Sequence, residues 1–359
     1  MSYVLITGAA GFIGSHTCVV LLQSGFKIIM LDNFSNSSPL VVNAIQSLSG
    51  LTEENFKKRV SLIKGDITDK DLLDKIFSLH RENGEQITSV IHFAGLKSVR
   101  ESINEPLLYW EINVSGTRIL LEIMNKYDCK TIVFSSSATV YGNTKYHPIK
   151  EDSEIKPINP YGKTKAAIEM LLSDISGCRS NQSPLITNTK DWKIAILRYF
   201  NPVGAHESGL IGENPTGIPN NIFPLITQVA LGNISSLKIY GNDWPTKDGT
   251  GIRDYIHVVD IAEGHKAALQ LLLEKGSSLI TLNLGSGKGY SVLDLINCFE
   301  KVSEKKIRYE IVDRREGDSA ISIADSSAAK NILKWSSKRS LEDICRDGWN
   351  WQRKHPKGY

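Results

Sequence analysis

The sequence predicts an α/β fold in which a doubly wound parallel sheet is followed by a second, smaller α/β domain. Short apolar runs rich in β-branched residues recur along the chain, at 3–7, 27–31, 60–64, 89–93, 131–136 and 193–200. The segments between these runs are long enough for helices, and near-continuous apolar strands that alternate with helices are typical of a parallel sheet covered on both faces. A glycine-rich turn directly after the first run also marks the start of such a domain.

The character of the sequence changes after the last of these runs. Gly, Pro and Asn are concentrated at 201–221 and 241–252, which predicts loops. Helical patterns then return near 223–232, 258–275, 291–303 and 340–353. We therefore predict a first domain at 1–200 and a second at 201–359, with some segments of the second crossing back to the first. The polar, unpatterned stretch 176–191 is expected to be a surface loop.

The charge balance gives no sign of a polyanionic or membrane partner. The 359 residues include 42 Lys and Arg and 39 Asp and Glu, a net charge of +3 without a basic block. Binding to nucleic acid or to a membrane is therefore not expected, although small anionic molecules remain candidate ligands. The first residues lack a basic region before an apolar core, so no signal peptide is expected.

The five cysteines are widely scattered, and none forms a C-x-x-C pair. This distribution favours free thiols in a reducing compartment, and hence a cytoplasmic location, over a disulfide framework or a zinc site. The eight histidines show no H-E-x-x-H spacing, so no metal is expected.

The first apolar run leads into "TGAAGFIGSH", which places Gly8, Gly11 and Gly14 between a predicted strand and a predicted helix. Such glycines allow a tight turn, close approach of the backbone to a pyrophosphate, and close packing of the helix. The helix N-terminus then offers N–H groups and its positive dipole end to the phosphates. Three glycines alone are weak evidence, but the strand before them and the helix after them predict a dinucleotide site.

Two acidic residues follow the second and third predicted strands. Asp32 comes 21 residues after Gly11, where a carboxylate can accept both adenosine ribose hydroxyls and repels a 2′-phosphate. NAD is therefore favoured over NADP, the alternative being that Asp32 only stabilises a turn. Asp66 could reach adenine, although a lone Asp in this place would also be an ordinary helix cap.

The stretch "NPYGKTK" puts Tyr161 and Lys165 one helical turn apart, with Asn159 as the expected N-cap and Pro160 as the first helical residue. This spacing alone fits an ordinary helix face. A helix N-terminus, the Lys165 ammonium and an oxidised nicotinamide would each favour a phenolate. We therefore expect the pKa of Tyr161 to lie below its usual value near ~10, which would make it a usable base near neutrality.

The fifth apolar run ends in "FSSSATVYG", where Ser137 could donate a hydrogen bond to a substrate oxygen. Tyr-x-x-x-Lys is weak evidence by itself. Combined with a glycine loop and a fifth strand that ends in serines, it predicts a site for hydride-transfer chemistry.

Further motifs extend the argument along the chain: "HFAGLKSVRES", "LRYFNPVGAH", "GIPNN", "GTGIRDYIHVVD", "RREGD" and the closing "WNWQRKHPKGY". With these, residues 3 to 358 resemble the UDP-glucose 4-epimerases, extended short-chain dehydrogenase/reductases with a Rossmann domain. The resemblance implies NAD as the cofactor, a UDP-hexose as the substrate and a UDP-sugar-binding role for the second domain. It also implies a homodimer through helices near 100–126 and 161–176, although the apolar positions of those helices could equally be intrachain core.

The same resemblance implies a mechanism. Tyr161 removes the proton of the sugar 4′-hydroxyl while C4 passes a hydride to NAD⁺, Ser137 shares the hydrogen bonding, and Lys165 holds the nicotinamide ribose and tunes Tyr161. The 4-ketose then rotates in the pocket, and the hydride returns to the opposite face of its C4.

Other contacts carry over residue by residue. The positions that match NAD contacts are Phe12, Ile13, Asp32, Asn33, Asn36, Ser37, Asp66, Ile67, Phe93, Ala94, Lys97, Asn113 and Tyr199. The positions that match UDP-sugar contacts are Asn201, Asn221, Arg253 and Arg315 for the diphosphate and Asp318 for the uridine ribose.

Ser322, four residues after Asp318, matches the position that faces the sugar 2-substituent. A Tyr there would crowd out an N-acetyl group, whereas a small residue leaves room, so we expect UDP-GlcNAc and UDP-GalNAc to be accepted as well. The alternative is that Ser322 lines the pocket without affecting selectivity.

Two other functions fit this sequence less well than epimerisation does. A nucleotide-sugar 4,6-dehydratase needs a carboxylate pair just after the fifth strand, where this chain has Ala138 and Thr139. A non-catalytic NAD-binding scaffold would not need Tyr161 and Lys165, and both are present. The sequence therefore favours an epimerase.

Overall fold

The computed structural model describes residues 2–177, 186–217, 219, 221–315 and 318–359. Within these ranges, no helix has the length and the apolar content needed to cross a membrane.

The strands, in chain order, are β1 (Tyr3–Thr7), β2 (Lys27–Asp32), β3 (Val60–Lys64), β4 (Ile87–His92), β5 (Thr131–Ser137), β6 (Ile186–Asn188), β7 (Lys193–Tyr199), β8 (Asn201–Val203), β9 (Leu237–Tyr240), β10 (Ile252–Arg253), β11 (Tyr255–His257), β12 (Ser278–Leu284), β13 (Tyr290–Ser291), β14 (Tyr309–Val312) and β15 (Ile321–Ser322).

The α-helices are α1 (Phe12–Gln23), α2 (Val41–Ser49), α3 (Glu53–Arg59), α4 (Lys70–Glu82), α5 (Val99–Asn104), α6 (Pro106–Tyr109), α7 (Gly116–Lys126), α8 (Pro160–Ser176), α9 (Ile222–Ala230), α10 (Val258–Glu274), α11 (Val292–Ser303), α12 (Ser327–Leu333) and α13 (Leu341–Lys354). A π-helical segment (Trp110–Ser115) precedes α7, and a 3₁₀ turn (Ala138–Tyr141) follows β5.

The main sheet has eight strands in the order β3-β2-β1-β4-β5-β7-β12-β6. All of its strand pairs are parallel except the last, β12 with β6. The strand order runs outward in both directions from β1 and β4, so the predicted doubly wound parallel sheet is confirmed. The six predicted strands correspond to β1–β5 and β7.

Two apolar clusters cover the two faces of this sheet. Successive strand residues point to opposite faces, so Val4 and Ile6 of β1 belong to one cluster and Leu5 to the other. The first cluster is completed by α1, α2, α10 and α12, the second by α4, α7 and α8. The elements α10, α12 and β12 come from the second half of the chain, as expected for segments that cross back.

The stretch 176–191 is not all loop. Residues 178–185 lie outside the described part, but Ile186–Asn188 form β6, which pairs antiparallel with β12 at the sheet edge. The loop prediction is wrong for these three residues because a short edge strand is held by backbone hydrogen bonds and needs no apolar alternation.

A separate apolar cluster lies in the C-terminal half. It combines α9, α11 and α13 with the strand pair β9 and β14, and its centre is formed by Phe223, Phe299 and Trp349. The four predicted helices of this half correspond to α9, α10, α11 and α13. The short strands β10, β13 and β15 form a three-stranded sheet beside it. The division into two domains at residue 200 stays a prediction.

Candidate active site

The glycine loop joins β1 to α1 at the carboxyl edge of the sheet. Gly11 is the N-cap of α1 and provides no side-chain cap, so the first N–H groups of the helix stay available to a ligand. A Cβ on Gly14 would lie 2.2 Å from the carbonyl oxygen of Gly8. The loop therefore packs too closely against the helix for any side chain at this position.

Asp32 ends β2 and is buried, with 6% of its surface exposed. Its Oδ2 accepts a hydrogen bond from the backbone N–H of Ala10 at 2.8 Å, and its Oδ1 accepts from Phe34 N at 2.9 Å and from Ser37 Oγ at 2.8 Å. The hydrogen bond from Phe34 N stabilises a turn after β2, as expected if Asp32 had only a structural role. The contact with Ala10 goes further, because it ties the loop after β2 to the glycine loop.

Asp66 also lies at this edge, after β3. Asn33 Nδ2 donates to its Oδ2 at 2.6 Å, and Thr68 donates to its Oδ1 at 2.9 Å through the backbone and at 2.8 Å through the hydroxyl. Burial alone would raise the pKa of the Asp66 carboxyl, but these hydrogen bonds outweigh it and lower the pKa. The helix-cap alternative is wrong, because Asp69 caps α4.

The loop after β4 is fixed by Asn113, which is 1% exposed in the π-helical segment. Its Oδ1 accepts from Leu96 N at 2.8 Å, and its Nδ2 donates to Leu96 O and to Thr164 Oγ1, each at 3.1 Å. Asn113 thus joins the loop after β4 to α8, the helix that carries Tyr161.

The start of α8 is built as predicted. Asn159 is the N-cap and its side chain accepts from Gly162 N at 2.8 Å, with Pro160 as the first helical residue. Tyr161 and Lys165 are both buried, and Nζ of Lys165 lies 6.0 Å from the centre of the Tyr161 ring. Lys165 Nζ donates to the carbonyl oxygen of Ser135 at 2.8 Å.

Ser137, at the end of β5, completes the group. Its hydroxyl hydrogen-bonds with the Tyr161 phenol and also accepts from Thr139 N at 3.2 Å. The structure therefore brings together all three residues of the predicted catalytic group.

The lowered pKa of Tyr161 was expected with NAD⁺ bound, and the polypeptide alone does not produce it. Burial raises the pKa of Tyr161 to about 12, against the opposing effect of the hydrogen bond with Ser137. Burial also lowers the pKa of Lys165 to about 8, although the nearby Glu169 carboxylate favours its charged form. Desolvation outweighs the hydrogen bond with Ser137, so a positive charge beside the phenol is needed to favour the phenolate.

A buried ion pair behind the catalytic group was missed by the sequence reasoning. Arg198 of β7 donates from Nη2 to Glu169 Oε2 at 2.6 Å, and each side chain is 8% exposed. Ser136 donates to the same carboxylate, and Ser135 hydrogen-bonds with the Tyr199 hydroxyl. Both serines are therefore held by buried hydrogen bonds. An Arg inside the apolar run "KIAILRYF" was the available signal.

The residues predicted for the UDP-sugar lie at the edge of the C-terminal half. Arg253 of β10 is the register partner of Ser322 of β15, and Ser322 O accepts from Asp254 N at 2.9 Å. Arg315 pairs with Asp318 at 2.8 Å and stacks on Tyr240, with its guanidinium carbon 5.3 Å from the ring centre. Arg315 therefore pairs with Asp318 beside the Tyr240 ring, although its side chain remains 55% exposed.

Lys97 and Asn221, from the two halves of the predicted site, meet at one residue that the sequence reasoning missed. Glu213 Oε1 accepts from Lys97 Nζ at 3.2 Å and from Asn221 Nδ2 at 2.7 Å. No local pattern marks Glu213, which lies 116 residues from Lys97 along the chain.

The remaining predicted residues surround this edge of the sheet. Phe12 and Ile13 begin α1, Ile67 is buried after β3, Phe93 and Ala94 follow β4, Asn36 lies in the loop after β2, and Asn201 begins β8. Their contacts with ligands stay predictions.

The residues at the edge fit an NAD molecule. The uncapped N-terminus of α1 suits the pyrophosphate, and the Asp32 carboxylate, which accepts three hydrogen bonds from the chain, keeps an acceptor site for a ribose hydroxyl. The buried Tyr161 and Lys165 lie along the same edge, after β5.

Comparisons with known proteins agree with this arrangement. Residues 5–348 match the family model described as GDP-mannose 4,6 dehydratase. The chain is 49% identical to the UDP-glucose 4-epimerase of Bacillus subtilis over 356 residues, 99% of this chain and 98% of that protein.

Two solved structures are also similar over 99% of this chain. The UDP-glucose 4-epimerase of Stenotrophomonas maltophila, with bound NAD and formylated UDP-arabinopyranose, has a TM-score of 0.90 and 44% identity over 99% of its chain. That of Bifidobacterium longum, in complex with NAD⁺ and UDP, has a TM-score of 0.89 and 42% identity over 100% of its chain. The dehydratase model describes the wider superfamily, and within it this chain belongs to the UDP-glucose 4-epimerase family.

Proposed function

We propose that this protein is an NAD-dependent epimerase that inverts C4 of a UDP-hexose and so interconverts UDP-glucose and UDP-galactose. The observation that carries the proposal is the buried group of Tyr161, Ser137 and Lys165 beside the glycine loop, in a chain of this family. The resulting reaction is an isomerisation.

The catalytic group supports proton transfer at the sugar 4′-hydroxyl. Tyr161 takes the proton, and Ser137 hydrogen-bonds with the phenol and orients it. Bound NAD⁺ supplies a reversible hydride acceptor and a positive charge, so the overall reaction is redox-neutral. Lys165, held by the Ser135 carbonyl, keeps an ammonium near the phenol and lowers the cost of its deprotonation.

The two ends of the site suit the two ligands. Around the glycine loop, Asp32 is placed for a ribose of NAD, and the N-terminus of α1 for its pyrophosphate. Arg253 and Arg315 suit the diphosphate of the UDP-sugar, because a guanidinium grips phosphate oxygens in a bidentate manner.

Elimination of water, the reaction of 4,6-dehydratases, is disfavoured by the residues after β5. Ala138 and Thr139 form the start of the 3₁₀ turn there, and Thr139 Oγ1 donates to Ser137 Oγ at 3.0 Å. Neither side chain can act as the carboxylic acid that elimination needs.

The position of Ser322 supports a wider substrate range. Ser322 lies next to Arg253 in the β10–β15 pair, so a small side chain stands beside the expected diphosphate position. We propose that UDP-GlcNAc and UDP-GalNAc are also substrates. Ser322→Tyr is expected to abolish turnover of the N-acetyl sugars and to keep that of UDP-galactose, and negligible wild-type turnover of UDP-GalNAc would refute the idea.

A homodimer fits the surface beside α8. Leu107 of α6 is 83% exposed, Ile103 of α5 is 59% exposed and Met170 of α8 is 68% exposed. Exposed apolar side chains grouped on neighbouring helices are typical of a subunit interface. Light scattering should give twice the chain mass for the wild type and the chain mass for Leu107→Glu.

We also propose a cytoplasmic location, which the scattered cysteines favour.

The experiment that tests the main proposal needs no added cofactor. Purified protein is incubated with UDP-galactose, and the products are identified by chromatography and NMR. UDP-glucose as the sole new sugar nucleotide is the expected result. A keto sugar that absorbs in the ultraviolet, or no product at all, would contradict it.

A further inference from the structure

The carboxylate of Glu213 lies between the two halves of the site. Its side chain is 8% exposed, whereas that of Lys97, which it contacts, is 51% exposed. The same oxygen accepts from Lys97 Nζ at 3.2 Å and from Asn221 Nδ2 at 2.7 Å. One residue from the loop after β4 and one from the N-terminus of α9 are thus held by a single buried acceptor.

The backbone around Glu213 is fixed by α13. Trp351 Nε1 donates to the carbonyl oxygen of Glu213 at 3.3 Å. A Cβ on Gly212 would lie 2.3 Å from atoms of the Trp351 ring, so the chain rests directly on the indole. On the indole, His355 stacks with ring centres 4.0 Å apart. Contacts with α13 therefore fix the backbone at Glu213 independently of its side-chain contacts with Lys97 and Asn221.

A second contact ties the same segment to the cofactor end. Thr216 N donates to Asn36 Oδ1 at 2.9 Å, and Asn36 lies in the loop after β2. Two loops at the carboxyl edge of the main sheet therefore hold the segment that carries Glu213, while Asn221 belongs to the substrate end.

We infer that Glu213 is a positioning residue that directs the donors of Lys97 and Asn221 toward the phosphates and links cofactor binding to UDP-sugar binding. This inference rests on the proposed function. An ammonium has three N–H donors and an amide nitrogen has two, so each keeps donors for phosphate when Glu213 accepts one. A carboxylate also accepts only, which keeps the amide oxygen of Asn221 turned away from it.

The test replaces the carboxylate by an amide of the same shape. Glu213→Gln retains the volume but can present its own N–H groups to Lys97 and Asn221, so their orientation is no longer fixed. The matched control is Glu207→Gln, an exposed Glu of the same segment. Calorimetric titration of each holoenzyme with UDP and steady-state kinetics with UDP-galactose are the two measurements.

We expect Glu213→Gln to weaken UDP binding and to raise KM about tenfold, with kcat within about threefold, because charged hydrogen bonds of this kind change affinity on that scale. Glu207→Gln should change neither. An unchanged or tighter UDP affinity in Glu213→Gln would overturn the inference, as would a loss of thermal stability without a change in KM.

A double-mutant cycle tests whether Glu213 acts on UDP binding through Lys97 or only through a general loss of local structure. If Glu213 acts through Lys97, then Lys97→Met and Glu213→Gln together weaken UDP binding by less than the sum of their separate effects. The rate of NAD release, followed by fluorescence, should rise in both single variants. Strict additivity in UDP affinity would count against the link. Failure of the wild type to epimerise would instead refute the proposed function, and the UDP titrations would still decide the role of Glu213.

Discussion

The cofactor end and the substrate end of the site are built in opposite ways. At the cofactor end, Asp32, Asn113 and Lys165 are 6%, 1% and 5% exposed, and each is held by hydrogen bonds from the chain. At the substrate end, the side chains of Arg315 and Asp318 are 55% and 20% exposed and pair mainly with each other. The first end is preorganised, whereas the second gains order only when it exchanges this pairing for contacts with a ligand.

The supporting elements explain this difference. The cofactor end lies at the carboxyl edge of the main parallel sheet, whose strands β1 and β5 are buried along their whole length. Arg253 and Ser322 lie on strands of two residues each. Four predictions test this contrast between the two supports.

The largest effect is expected for Tyr161→Phe at the preorganised end. Loss of the phenol that hydrogen-bonds with Ser137 should lower kcat by about 10²–10⁴-fold, the usual contribution of a positioned acid or base. NAD content, measured after denaturation, should stay at the wild-type level because the ring still fills its place. Turnover within tenfold of the wild type would show that another group is the base.

Gly14→Ala should cause a nearly equal loss of activity, because it disturbs the fold of the glycine loop and not the catalytic residues. Its Cβ would lie 2.2 Å from Gly8 O, so the loop must move and we expect a loss of about 3 kcal/mol in the free energy of unfolding, together with bound NAD. The control is Gly276→Ala, where a Cβ meets no atom within 4 Å. Equal urea midpoints for the two variants would contradict the close packing.

Lys165→Met is predicted to stabilise the chain while it removes activity. Burial lowers the pKa of Lys165 to about 8 in the folded state, so at neutral pH the charged group opposes folding. We expect a gain of about 1–3 kcal/mol for Met at pH 7.

The sign of the pH dependence checks the cause. Below the folded pKa near 8 the cost of the charge is fully present, and it vanishes as pH rises toward the unfolded value of 10.5. The advantage of Met in urea unfolding, measured without added cofactor, should therefore shrink between pH 8 and pH 10.5. A constant difference would point to packing instead of charge.

The smallest effect is expected for Arg315→Gln at the exposed end. The pair with Asp318 is open to solvent and contributes little to stability, so the unfolding free energy should change by less than about 1 kcal/mol. KM for UDP-galactose should rise about five- to tenfold through a lost phosphate contact. Arg314→Gln is the matched control, because Arg314 is occupied with Asp243 and stacks on Trp244. Equal KM values for the two variants would remove Arg315 from the diphosphate site.

Local signals in the sequence were sufficient for much of this architecture. The glycine loop, the N-cap Asn159 and the apolar strands each depend on neighbours a few residues away, and all three formed as predicted. Their energetics are short-range, so a single sequence contains them.

Other features depend on residues that meet only in the folded chain. Glu213 reaches Lys97 across 116 residues, and Arg198 finds Glu169 across 29. The pKa of Tyr161 in the polypeptide alone was not foreseen for a related reason, because the depth of burial that raises it is not visible in the sequence.

The short strand β6 has a consequence for solubility. Ser278, Leu279 and Ile280 of β12 pair with β7 on one side and with β6 on the other. An open, apolar sheet edge is a template on which strands of other molecules can pair. The three-residue strand β6 presents fewer free backbone groups for such pairing than the longer strand β12 would. Residues 186–188 therefore cover residues 278–280 of this edge, and we expect their removal to be noticed first as precipitation during expression or storage.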